Sequence, residues 1–103
     1  MNRDELLQRY LHLVRDELPP RARREGWVVT EDHCFGRIVL DAVCGGPWRE
    51  HLTGRGAAFR QLSDDQLQRA VELLERIERE GDGVLRELNR QSLRWRGKLP
   101  FLD

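Results

Sequence analysis

The chain has 103 residues, 35% of them charged, and its 18 basic side chains are matched by 18 acidic ones for a formal net charge of zero. That length makes one domain, residues 1–103, with a single modest core. The charge balance excludes a polybasic nucleic-acid arm, which needs a basic excess to displace counterions from phosphates, and the periodic clustering of apolar residues excludes disorder.

The opening MNRDELLQRY is acidic and amphipathic, without the apolar centre of a secretion signal. No apolar run reaches the ~20 residues that span a bilayer, so no membrane partner is expected. A cytoplasmic location is the resulting expectation, and with it free thiols at Cys34 and Cys44.

Asn2 is placed to cap a first helix running to about Leu18, where Pro19-Pro20 should stop it. Leu7, Tyr10, Leu11, Val14 and Leu18 share one face of it. Arg21, Arg23 and Arg24 then form a basic connector, followed by Gly26 and an extended WVVT. Thr30 is the expected cap of a second helix ending at Cys44, with Gly45-Gly46 and Pro47 beyond. Residues 47–62 read as loop or short helix. Ser63-Asp64-Asp65-Gln66 is a capping box opening a third helix, with Leu67, Ala70, Val71, Leu74 and Ile77 along one side. Gly81 closes it. Asp82 is the expected cap of a fourth helix, whose inner face carries Leu85, Leu88, Ser92 and Trp95. No alternating strand pattern exceeds four residues. The expected architecture is all-α, a compact four-helix arrangement with a C-terminal antiparallel helical hairpin.

Most of the unusual chemistry sits in Thr30–Leu52, which holds both cysteines, His33, His51, Trp48 and a Gly-Gly-Pro break. On the second helix Phe35, Ile38, Val39 and Ala42 form the apolar face. His33, Arg37 and Asp41 fall at i, i+4 and i+8 on the other side and stack in a row. Such a row binds an anionic group through Arg37, with His33 exchanging a proton and Asp41 orienting the guanidinium. Its structural alternative is a solvent-facing Arg–Asp pair worth a few tenths of a kcal/mol.

Cys34 would need His51 as its base, because a helical neighbour such as His33 points about 100° away. Cys34 and Cys44 stand ten residues apart, ~15 Å along a helix, too far for one zinc ion or a disulfide. No metal, catalytic residue or cofactor is assigned.

The segment HLTGRGAAFRQL at His51–Leu62 resembles the pyrophosphate-cradling loop of GNAT acetyltransferases, with Gly54, Gly56 and Ala57 matching and His51 standing where that pattern has Gln or Arg. The chain as a whole resembles small bacterial proteins loosely labelled GNAT-like. That resemblance implies backbone N–H groups holding a phosphate-bearing acyl-CoA. It carries the alternative reading, an enzyme with His33 or His51 as acid–base.

Charge is divided between the last two helices. Residues 63–82 hold seven acidic against three basic side chains, and 83–103 hold five basic against two acidic. The two helices are expected to attract one another. Arg86, Arg90 and Arg94 form a stripe that, with Arg21, Arg23 and Arg24, makes a candidate basic patch for a phosphate backbone such as RNA. Trp95 is expected in the core, and Trp48, after Gly-Gly-Pro, at an exposed contact.

These features point to a small binding or adaptor domain. It would recognise a protein partner or an anionic ligand, RNA included, through the second helix and the Gly45–Gly56 loop. Arg37, Trp48, Arg49 and His51 would carry the contacts, and His33 and Asp41 would orient them. Homo-oligomerisation is a further expectation, because four short helices leave apolar surface to cover.

Overall fold

A computed structural model of the chain describes residues 1–98. Asn2 opens α1 (Arg3–Leu11) with a reciprocal capping box: its side chain accepts the Glu5 N–H, and the Glu5 carboxylate accepts the Asn2 N–H. The helix does not stop at Pro19-Pro20. It passes through a π-helical stretch, His12–Glu17, into α2 (Leu18–Glu25).

The prolines account for both features. Within an α-helix each would remove an i→i−4 bond and push its ring against the carbonyl four residues back. The wider π turn bonds the Leu18 N–H to the Leu13 carbonyl and restarts the ladder. Pro19 and Pro20 then stand in the first turn of α2, where N–H groups have no helical partner to lose. Arg21, Arg23 and Arg24 are therefore helical, not a connector. Gly26, at φ 69°, ends α2 in the left-handed conformation.

The second expected helix is α3 (Asp32–Cys44). Its N-cap is Glu31, not Thr30, and no side chain caps it. Gly45, at φ 76°, closes it as the sequence suggests, its N–H bonded to the Asp41 carbonyl. Two short 3₁₀ turns, Trp48–Glu50 and Ala58–Gln61, punctuate the following loop. Ser63 and Gln66 form the expected capping box of α4 (Asp64–Glu80). Gly81 joins it directly to α5 (Asp82–Trp95), whose N-cap is that glycine. Asp82 instead uses its carboxylate to accept the Val28 N–H and Arg86 Nε.

The described residues are all-helical, with α1, the π stretch and α2 running as one rod beside α3, α4 and α5. No helix among them is long and apolar enough to cross a membrane. One apolar core runs through all four rods: Leu6, Leu13 and Leu18 meet Phe35, Ile38 and Val39, Leu67, Leu74 and Ile77, and Leu85. Trp27 joins this core. Trp95 does not; it stays half-exposed while Asn89 and Ser92 occupy the inner face of α5. Three acidic side chains of α4 find partners on the first rod, where Arg9 bridges Glu75 and Glu78 and Arg3 pairs with Asp64, while Glu80 pairs with Arg76 on α4 itself.

Candidate functional site

Asp41 is the polar centre of the fold. It is 0% exposed, and four hydrogen bonds converge on its carboxylate. Ser92 Oγ donates at 2.6 Å, Arg96 Nε at 2.7 Å, Arg96 Nη2 at 3.0 Å and the Trp48 backbone N–H at 2.8 Å. Burial pushes the carboxyl up, but the bonds from Arg96, Ser92 and the Trp48 amide outweigh it and hold the group below the usual carboxylate range. The same pairing holds the Arg96 guanidinium more firmly charged. The end of α3, the loop at Trp48 and the end of α5 are thus tied at one point.

Arg37 does not pair with Asp41, as its i,i+4 spacing suggested. Its guanidinium reaches across to α5, donating to Ser92 Oγ at 2.7 Å and Asn89 Oδ1 at 2.8 Å. The Ser92 hydroxyl accepts from Arg37 and donates to Asp41, so the two charges communicate through it. A guanidinium has five N–H donors. Two of those on Arg37 are occupied, and no carboxylate among the described residues lies within 4.0 Å of it.

Beside Arg37 opens a cleft of about 250 Å³ between the first rod, α3 and the 48–59 loop. Its apolar surface comes from Leu11, Val14, Leu40 and three aromatic rings, Tyr10, Trp48 and Phe59. Tyr10 and Phe59 stack at 5.2 Å between centroids, 19° apart. Arg3 holds this loop down, its guanidinium bonding Asp64 and the carbonyls of Arg60 and Leu62. Arg15, Asp32, His33 and Arg37 supply the charged lining. Arg15 is exposed and, like Arg37, has no carboxylate within 4.0 Å among the described residues.

Three of the expected contact residues, His33, Arg37 and Trp48, therefore meet at one cleft. The His33 side chain is 79% exposed on the rim, 3.7 Å from Asp32. Arg49 lies over the outer face of Trp48, 5.1 Å from the ring centroid. His51 is exposed and turned toward Gly46, its Nε2 3.2 Å from where a Cβ there would stand. Asp41 lies behind the cleft and orients Ser92, not Arg37 directly. Sequence reasoning passed over Tyr10, Arg15 and Phe59 as cleft residues, and Asn89 and Arg96 as partners of Arg37 and Asp41. The polar spacing Asn89, Ser92, Arg96 on α5, at i, i+3 and i+7, was the available signal for the second group.

The glycine loop is occupied by its own side chain. Gln61 accepts the Gly54 N–H and donates to the carbonyls of Gly54 and Gly56. The loop leads into a four-residue 3₁₀ turn, too short to focus a helix dipole on a phosphate. On α5, Arg86 is paired with Asp82, while Arg90 and Arg94 line a second depression of about 360 Å³ with Glu87, Leu88 and Gln91. Both cysteines are free and half-buried, and burial followed by the charge of Asp41 raises the Cys44 thiol. Among the described residues no cluster of His, Cys, Asp or Glu is placed to hold a metal ion. No protein-family model, curated protein or solved structure matches the chain.

Proposed function

We propose that the chain is a small binding domain that receives an anionic ligand in the cleft between the first rod, α3 and the 48–59 loop. The observation that carries this reading is Arg37. It is half-buried and held by two neutral side chains of α5, and it lines a cleft whose walls are mostly apolar. A guanidinium with no carboxylate within 4.0 Å among the described residues is poised to take an anion through charge-assisted hydrogen bonds. Arg15 adds positive charge to the lining, His33 a titratable rim, and Trp48 an aromatic wall with Arg49 behind it. Pockets of this make-up, mostly apolar with a few convergent polar groups, are the usual form of a small-ligand site.

A thermal-shift screen at two salt concentrations tests the proposal, run on wild type and Arg37→Met with acetyl-CoA, nucleotides, short RNA and aryl carboxylates. An anion at about 100 times its dissociation constant stabilises the wild type by roughly 2.7 kcal/mol. The same anion leaves Arg37→Met unmoved. A stabilising anion that acts equally on both proteins places the site elsewhere and contradicts the assignment.

A further inference from the structure

The lining of the cleft also carries a hydroxyl without a partner. Tyr10 is 2% exposed, yet its phenol makes no hydrogen bond to any described residue. No fully enclosed side-chain polar atom lacks a partner among the described residues, so the Tyr10 oxygen is in contact with the open cleft. It stands 3.6 Å from where a Cβ on Gly36 would be, and Gly36 lines the same cleft. A methyl at Gly36 would stand in ordinary van der Waals contact with the hydroxyl. Burial pushes the phenol well above its ordinary pKa, so it remains a neutral donor.

A buried donor left without an acceptor costs stability unless a ligand or water completes it. Here the donor lines the same cleft as Arg37, whose guanidinium has no carboxylate within 4.0 Å among the described residues. The walls include the stacked Tyr10–Phe59 pair and Trp48 beside aliphatic side chains, with Arg15, Asp32 and His33 as further charged lining. At about 250 Å³ the cleft is smaller than the ~300–1,000 Å³ of drug-sized sites. A planar anion with two acceptor oxygens matches one guanidinium and one hydroxyl, and a flat apolar body matches the aromatic walls.

We propose that the cleft recognises a small aromatic monocarboxylate, its carboxylate bound by Arg37 and the Tyr10 hydroxyl and its ring lying against Trp48 and Phe59. This rests on the cleft being an anion site, and it names the class of anion.

The probes are 1-naphthylacetate, its carboxamide, cyclohexylacetate and inorganic phosphate, each titrated into the full chain by isothermal calorimetry and ¹H–¹⁵N spectra. The wild type binds naphthylacetate with a dissociation constant on the order of 0.1–1 mM, as expected for so small a ligand. The carboxamide binds at least 10-fold more weakly, and cyclohexylacetate several-fold more weakly. Tyr10→Phe, which breaks no internal hydrogen bond, weakens the acid by about 5–10-fold and weakens the amide less, because its neutral carbonyl is the poorer acceptor. Gly36→Ala replaces a helical glycine by a better helix former, so folding is retained. Its methyl narrows the cleft beside the phenol, and binding of the acid falls several-fold.

Phosphate shifting the cleft resonances while naphthylacetate does not would overturn the aromatic carboxylate and leave the anion site standing. Equal affinity for acid and amide in the wild type would overturn both. Undiminished acid binding by Tyr10→Phe and Gly36→Ala together would remove the Tyr10 hydroxyl from the site.

Discussion

Asp41→Ala takes away the acceptor on which α3, the Trp48 loop and α5 converge. The carboxylate receives four hydrogen bonds of 2.6–3.0 Å and is 0% exposed, so water does not replace it. The substitution strands the buried Ser92 hydroxyl and the Trp48 amide. Arg96, with its side chain 23% exposed, can turn toward solvent. Removing one partner of a buried pair costs about 3–5 kcal/mol, and the escape of Arg96 sets the expectation near the lower end, about 3 kcal/mol. That is a large share of the ~5–15 kcal/mol holding a typical domain together.

Urea unfolding followed by tryptophan fluorescence reads this directly. At an m-value of about 1.5 kcal/mol/M the midpoint falls by roughly 2 M at pH 7. Acid supplies an independent arm. The folded-state pKa of Asp41 lies below the unfolded value of about 3.9. Its contribution is therefore complete above that value and is lost as pH falls through the folded pKa. The gap between wild type and Asp41→Asn stays constant above about pH 5 and narrows below about pH 4. A midpoint for Asp41→Ala within about 0.3 M of wild type, on the order of the fitting error, or a gap that does not narrow in acid, refutes the central role of this carboxylate.

Glu78 titrates in the opposite sense. A hydrogen bond with Glu17, then burial and the Glu17 charge, raise its carboxyl above the ordinary value despite Arg9 at 3.3 Å. A raised pKa contributes stability below the unfolded value that is lost as pH rises through the folded one. Glu78→Gln keeps a hydrogen bond to Glu17 without the repulsion, so its stability gains on wild type as pH rises above the ordinary carboxylate range, by less than ~1 kcal/mol at this partly exposed position; a difference independent of pH contradicts the coupling. Gly45 stands at φ 76° with open space where a Cβ would project, so Gly45→Ala costs only the left-handed backbone, about 1–2 kcal/mol in a thermal or urea melt. A neutral effect would mean that the α3 terminus relaxes without cost.

The helices were readable where a terminus is written locally. Asn2 with Glu5, Ser63 with Gln66, and Gly45 after Cys44 each satisfy orphan backbone groups within four residues, and each element begins or ends there. Pro19-Pro20 misled because the stop depends on which register precedes it; a π turn moved both prolines into the first turn of a new helical segment. The membership of the cleft was half legible. His33 and Arg37 follow from the spacing on α3, and Trp48 from the Gly-Gly-Pro break. Tyr10 read as core, which by burial it is, and only the tertiary position of its hydroxyl beside Gly36 shows that one atom faces the cleft. Arg37 and Asp41 are four residues apart and looked like partners. Each found a better one on α5, where Asn89, Ser92 and Arg96 present fixed polar groups across the helix interface.

The central claim is that the cleft beside Arg37 is an anion site. Its most direct test is a ¹⁵N spectrum of the arginine side chains and backbone recorded during titration with 1-naphthylacetate, with inorganic phosphate and short RNA as parallel anions. With an anion in the cleft, the Arg37 Nε–H, the Gly36 amide and the Trp48 indole shift together and saturate, while Arg86, Arg90 and the Gly54–Gly56 amides stay in place. Shifts confined to Arg86 and Arg90, or to the glycine loop, with Arg37 unmoved by every anion would contradict the claim.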